Sequence, residues 1–123
     1  MKMLNSLYRI RSKELSDSFV RYDIQLDACH FIYQAHFPGA PITPGVCIIQ
    51  IAEELLEDHI GRKLSIRKIK NVKFLNVISP LVTPCISYVF EKTQSSPTIV
   101  PVTAQVFSGE TPLAKLSFIC SAQ

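Results

Sequence analysis

The stretch "HFPGAPITPGVCIIQIAEELLEDHIG", His36 to Gly61, decides the fold. Its first ten residues are rich in proline and glycine, and its remainder reads as one helix. Thr43 suits the N-cap and Pro44 the first helical position, where a missing N–H costs nothing. Gly61 suits the C-terminal stop. Between them Val46, Cys47, Ile48, Ile49, Ile51, Ala52, Leu55, Leu56 and Ile60 cover most of the circumference. Gln50, Glu53, Glu54 and Glu57 fall at i, i+3, i+4 and i+7 and form one narrow polar stripe. A helix this apolar is buried on most sides.

The flanking sequence reads as strands. In "FVRYDIQLD" (19–27), Val20, Tyr22, Ile24 and Leu26 alternate with Arg21, Asp23, Gln25 and Asp27, the period of a half-buried strand. "LYRIRS" before it predicts a shorter strand, and 30–43 a shaped loop. Further strands are expected at about 64–76, 84–92, 98–108 and 112–121, with "QSSP" and "SGET" as turns. One helix cannot supply the crossovers of a parallel sheet. The fold class is therefore α+β, an antiparallel sheet wrapped around one long central helix, with residues 1–123 forming a single domain.

Composition narrows the function. The chain has 123 residues, 47% hydrophobic and 19% charged, which is globular. No apolar run reaches the roughly 20 residues that span a bilayer, and the N-terminus lacks an apolar signal core. Cys29, Cys47, Cys85 and Cys120 form no C-x-x-C pair, so reduced thiols in a cytoplasm are expected. A net charge of +3 is too small to argue for nucleic acid. The bases do gather in "GRKLSIRKIKNVKF", at Arg62, Lys63, Arg67, Lys68, Lys70 and Lys73. That segment is either the solvated face of a strand or a docking patch for an acidic partner.

Two features carry chemistry. At the helix start, the amides of Gly45 and Val46 are donors at the positive end of the macrodipole, and Gly45 lets a ligand oxygen approach closely. Such a spot suits a thioester carbonyl that gains negative charge. His36 has an imidazole suited to general base work, set beside Phe37, Pro38 and Gly39. His30 and His59 have no comparable surroundings, and His59 sits near the helix C-terminus.

The run "HFPGAPITPGVCIIQ" resembles the loop-and-helix motif of the hot-dog-fold 3-hydroxyacyl-[acyl-carrier-protein] dehydratases. It matches at His36, Phe37, Pro38, Gly39, Pro41, Pro44, Gly45 and Val46. Weaker similarity continues through "LDACHFIYQAHFPG" and "IKNVKFLNVISP". The resemblance implies a five- or six-stranded sheet around the helix. It implies a homodimer or higher homo-oligomer with the active sites at the interface. It implies loss of water from 3-hydroxyacyl thioesters on an acyl carrier protein, giving trans-2-enoyl thioesters in fatty-acid or related acyl-chain synthesis. His36 is then the base at C2, and Gly45 polarises the carbonyl. Phe37, Gly39 and Val46 flank the substrate. Arg67, Lys68 and Lys70 dock the acidic carrier. No metal or organic cofactor is implied, because the thioester itself acidifies C2.

The sequence departs from this family at one position. The family's helix acid, which protonates the leaving hydroxyl, falls at Gln50, and an amide cannot give up a proton at useful pH. The family's later glutamine falls at Glu54, so the two residue types are exchanged one turn apart. Three readings stay open. His36 performs both transfers while Gln50 orients the hydroxyl. Glu54 supplies the proton through water or through Gln50. Or the chain is a non-catalytic acyl-thioester or carrier-binding module, or an acyl thioesterase.

Overall fold

A computed structural model describes residues 2–35, 39–92 and 96–122. The elements in chain order are β1 (Tyr8–Leu15), β2 (Phe19–Leu26), α1 (Phe31–Ala35), α2 (Gly45–Ile60), β3 (Leu64–Phe74), β4 (Cys85–Glu91), β5 (Ile99–Ser108) and β6 (Thr111–Ala122). The strands form one six-stranded sheet in the order β1-β2-β4-β5-β6-β3, with every pairing antiparallel. The expected strand before β2 is longer than "LYRIRS", and the 30–43 loop contains the single turn α1.

β2 shows why the sheet forms. Val20, Tyr22, Ile24 and Leu26 are all buried and their neighbours half-buried, so the period of two becomes one core face. β5 and β6 alternate in the same way. The core face packs on α2, which buries Cys47, Ile48, Ile51, Ala52, Leu55 and Leu56. Burying its four large aliphatic side chains is worth about 6–12 kcal/mol before entropy is counted.

The four tyrosines set where α2 lies. Each is almost fully buried, and each phenol needs a partner there. Tyr8 Oη donates to Glu54 (3.0 Å), Tyr22 Oη to Asp58 (2.7 Å) and Tyr88 Oη to the Ile48 carbonyl (2.8 Å). Tyr33 Oη lies 2.9 Å from Thr43 Oγ1, just before the helix. Apolar burial alone would let the helix slide; these bonds fix its depth and register.

The ends of α2 separate sequence expectation from structure. Gly61 closes the helix in the left-handed region, φ +76°, and its N–H donates to the Glu57 carbonyl. Thr43 is not the N-cap. That place is taken by Pro44, with no side-chain capping bond, because the Thr43 hydroxyl is committed to Tyr33.

Candidate functional site

The start of α2 is open to a ligand. Pro44 is extended (φ −62°, ψ 146°), and its carbonyl accepts from the Cys47 and Ile48 amides at 3.0 and 3.2 Å. The amides of Gly45 and Val46 find no acceptor among the described residues. Without a capping side chain they remain donors at the positive end of the helix. The entering chain is held by Thr43 N–H donating to the Ile78 carbonyl at 2.8 Å. Beside this end lies a cleft of about 430 Å³, lined by Ile42, Thr43, Gly45, Ile48, Phe74 and Val77 among others. A Cβ on Gly45 would stand 2.7 Å from Phe74 Cζ, so the ring occupies the space that glycine leaves.

One face of α2 leads away from this point. Val46, Gln50 and Glu54 follow at i, i+4 and i+8, stacked along the axis. Val46 is 75% exposed, Gln50 half-buried and Glu54 only 4% exposed. The cover over Glu54 is the N-terminal segment. Glu54 Oε2 accepts from Met3 N–H (2.7 Å) and Gln50 Nε2 (2.9 Å); Oε1 accepts from Leu4 N–H (2.8 Å) and Tyr8 Oη (3.0 Å). Four donors converge on one carboxylate, and every contact is of the kind an ionised group accepts.

Glu53 and Glu57 are not simply solvated, as a polar stripe suggests. The Glu53 carboxylate accepts from Ile66 N–H (3.2 Å), and Glu57 from Leu64 N–H (2.9 Å). The spacing explains the match: i to i+4 on a helix rises about 6 Å, and i to i+2 on a strand about 6.6 Å. Once Gly61 turns the chain back, the two carboxylates meet two outward amides of β3. Burial pushes the Glu53 carboxyl above its usual range, against the opposing pull of the Ile66 bond. Glu53 and Gln50 both line one open groove on α2 with Lys2, Leu4, Glu57 and Arg62. The signal for Glu53 in the sequence was the i, i+4 acidic spacing opposite the strand after Gly61.

Arg67, Lys68, Lys70 and Lys73 lie on β3, at one edge of the sheet, with Arg62 and Lys63 in the turn before it. Arg67 and Lys70 fall at its two register shifts against β6, where a bulge re-aims the side chain. Lys73 sits opposite Lys115 of β6. No described carboxylate forms an ion pair with Lys68, Lys70, Lys73 or Lys115, and Arg67 Nε donates to Ser121 Oγ at 2.7 Å. The sheet edge therefore carries an uncompensated positive patch.

His36 and Phe37 lie outside the described residues, as does Pro38. Gly39 is exposed in the turn that follows, with open space around its Cα. His30 Nδ1 accepts from Ile32 N–H, and its ring stacks on Phe31. His59 has a buried Nδ1 with no hydrogen-bond partner. Burial, with Lys13 and Lys92 nearby, lowers its proton affinity. The structure thus brings Val46, Gln50 and Glu54 onto one line of α2, with Gly45 at the start of that helix, and leaves Arg67, Lys68 and Lys70 on the sheet edge.

Residues 11–109 match the ApeI-like family, described as ApeI dehydratase. The chain belongs to the ApeI-like dehydratases. The 3-hydroxyacyl-[acyl-carrier-protein] dehydratase FabZ of Latilactobacillus sakei subsp. sakei is 30% identical over 95 residues, covering 72% of this chain and 68% of the relative. The FabZ of Clostridium acetobutylicum is 36% identical over 56 residues; that match spans 40% of each chain. Among solved structures, the dehydratase heterocomplex ApeI:P from Xenorhabdus doucetiae superposes with a TM-score of 0.75 at 16% identity, covering 91% of this chain and 96% of that one. The putative thioesterase yhdA from Lactococcus lactis gives 0.69 at 12% identity, covering 99% and 97%. At such identities the structures show the fold alone. That fold is the hot dog, a six-stranded antiparallel sheet with a helix packed against it. No helix of this ApeI-like chain, among the described residues, is long and apolar enough to cross a membrane.

Proposed function

We propose that this ApeI-like protein removes water from 3-hydroxyacyl thioesters carried on an acyl carrier protein. The uncapped start of α2 supports the reading most directly. The Gly45 and Val46 amides have no acceptor among the described residues, Gly45 lines a largely apolar cleft, and a thioester oxygen seated there gains charge where the helix favours it.

The chemistry follows from the parts. The thioester carbonyl accepts from Gly45 and Val46 N–H, which makes the C2 proton acidic. His36 takes that proton. The C2–H electrons become the C2=C3 double bond, and the C3–O bond breaks. The imidazolium returns its proton to the departing oxygen, which leaves as water. One imidazole does both transfers when C2 and the hydroxyl lie on one side within about 3 Å of the ring. Gln50 holds the hydroxyl during the exchange.

The basic edge at Arg67, Lys68 and Lys70 suits an acidic carrier protein, whose approach it would steer. Phe74, Leu75, Val77, Leu81 and Val82 are all at least 45% exposed and close in sequence. So much apolar surface beside the cleft favours assembly with a second copy of the chain.

Glu54 favours one alternative. Its carboxylate is occupied by four donors, which leaves the Gln50 and Glu54 positions without a ready acid and fits a module that binds acyl thioesters without turning them over. Incubation with a 3-hydroxyacyl-carrier thioester, read by mass spectrometry, separates the readings. Dehydration gives the enoyl thioester, hydrolysis gives the free acid and carrier thiol, and a binding module gives neither. Free acid or no product contradicts the proposal.

A further inference from the structure

We infer that Arg9 and Arg11, on the outer face of the sheet, form a binding site for the phosphate group of a small molecule. The site is built from β1, β2 and β4 and does not depend on the dehydration reading.

Arg9 stands opposite Gln25 in the β1–β2 register, and Arg11 is the extra residue at the shift between Ile10 and Ser12. A bulge of that kind re-aims the side chain it carries. Both guanidiniums then reach one atom. Arg9 Nη2 and Arg11 Nη1 each donate to Gln25 Oε1 at 2.8 Å. The two lone pairs of that oxygen serve the two donors, and the amide nitrogen can accept neither. The oxygen thus collects two cations but carries no charge to offset them. Two positive groups whose nitrogens are held within twice 2.8 Å repel each other until an anion joins them.

The same face shows a cation that is already compensated. Arg21 Nε lies 3.1 Å from Asp23 Oδ1, and the Ser12 and Ser87 hydroxyls donate to that carboxylate at 2.9 and 2.5 Å. Arg9 and Arg11 form no ion pair with a described carboxylate. Arg11 Nη1 has one further contact, Cys85 Sγ at 4.0 Å, a weak acceptor. A guanidinium carries five N–H donors, so most of both forks is uncommitted. Planar forks of this kind match pairs of phosphate oxygens.

Space for the rest of a ligand lies beside Arg9. A cleft of about 570 Å³ is lined by Asn5, Ser6, Arg9, Gln25, Cys29 and Pro80 among others. Asp27 also lines it; its Oδ1 accepts from Cys29 N–H at 2.9 Å, and it forms no ion pair with Arg9. Arg11 does not line the cleft and reaches the site through Gln25 Oε1. A phosphate on the two forks therefore stands at the cleft wall, with room beside it for the organic part of an ester.

The test titrates inorganic phosphate into the protein at fixed ionic strength, with chloride as the comparison ion, and follows the arginine Nε–H resonances by NMR. Those of Arg9 and Arg11 should shift saturably with phosphate and not with chloride, while that of Arg21 stays in place. R9Q and R11Q should each weaken phosphate binding by about tenfold or more, the scale of a lost charged hydrogen bond. R21Q should leave it unchanged. Gln25→Glu is the decisive variant, because it puts a carboxylate where both forks already meet. It should lower phosphate affinity by about tenfold or more while its urea midpoint stays at or above the native value, which separates lost binding from lost folding. Adenosine monophosphate binding more tightly than inorganic phosphate identifies an ester whose organic part uses the cleft; equal binding identifies the free anion. Phosphate that shifts the Arg9 and Arg11 resonances no more than chloride does, or that binds Q25E as well as the native protein, overturns the inference.

Discussion

Replacing Gln50 with glutamate restores the residue type that the dehydratase motif expects, but not its surroundings. In the native protein the amide nitrogen lies 2.9 Å from Glu54 Oε2. A carboxylate in its place would put two negative charges within about 4 Å. At an effective dielectric of about 20 that repulsion is about 4 kcal/mol. At about 1.4 kcal/mol per pK unit, the pair should hold one proton to roughly three pH units above a free glutamate. The introduced carboxyl is then protonated at neutral pH and donates to Glu54. Two measurements follow. The dehydration rate of Q50E should not exceed the native rate, because His36 makes both transfers and the added proton is committed to Glu54. Stability should depend on pH. A folded pKa above the unfolded value of about 4.3 gives a contribution that is fully present below pH 4.3. It is lost as pH rises through the folded pKa. The urea midpoint of Q50E, measured from about pH 5 to 8, should fall relative to the native protein. A midpoint difference that does not change with pH would show that the two carboxyls do not meet, and would refute the geometry of the stripe.

Other predictions are simpler. Gly45→Ala places a methyl 2.7 Å from Phe74 Cζ; kcat/KM should fall at least about tenfold, while a stability loss of about 1–3 kcal/mol reflects displacement of the ring. Carrier affinity, measured by fluorescence anisotropy, should drop about tenfold in R67E/K70E and fall with added salt in the native protein; equal affinity in both would leave the basic edge as solvated surface. His59 has lowered proton affinity, from burial first and then from Lys13 and Lys92. The unfolded chain takes that proton more readily, so stability should decline as pH falls below about 6.5 towards the folded pKa, and His59→Leu should flatten that part of the urea-midpoint profile.

The fold was legible because its signals are periodic. The alternation of 19–26 and the nearly all-round apolar character of 46–60 leave few arrangements besides one helix inside an antiparallel sheet. Gly61 was legible for a local reason, since a left-handed residue at a helix end favours glycine. The helix start was read partly wrong. Thr43 has the chemistry of an N-cap, but Tyr33, ten residues earlier, claims its hydroxyl. Local propensity cannot see that competitor.

The polar stripe was legible as a stripe but not in its use. Glu54 looks the same in sequence whether it faces water or receives Met3 and Leu4 amides from fifty residues away. Long-range hydrogen bonds leave no periodic trace. Glu53 and Glu57 left one, in their spacing against Leu64 and Ile66. The basic cluster was visible as composition. That Lys115 joins it depends on β3 pairing with β6, which sequence order alone does not reveal.

Turnover of a 3-hydroxyacyl-carrier thioester by the native protein and by His36→Ala tests the central claim most directly. Mass spectrometry follows the enoyl product under single-turnover conditions. The account predicts enoyl thioester from the native chain and a rate lower by about 10²–10⁴ in H36A, with thioester binding retained. An equal rate in H36A, or no enoyl product from the native chain, would contradict it.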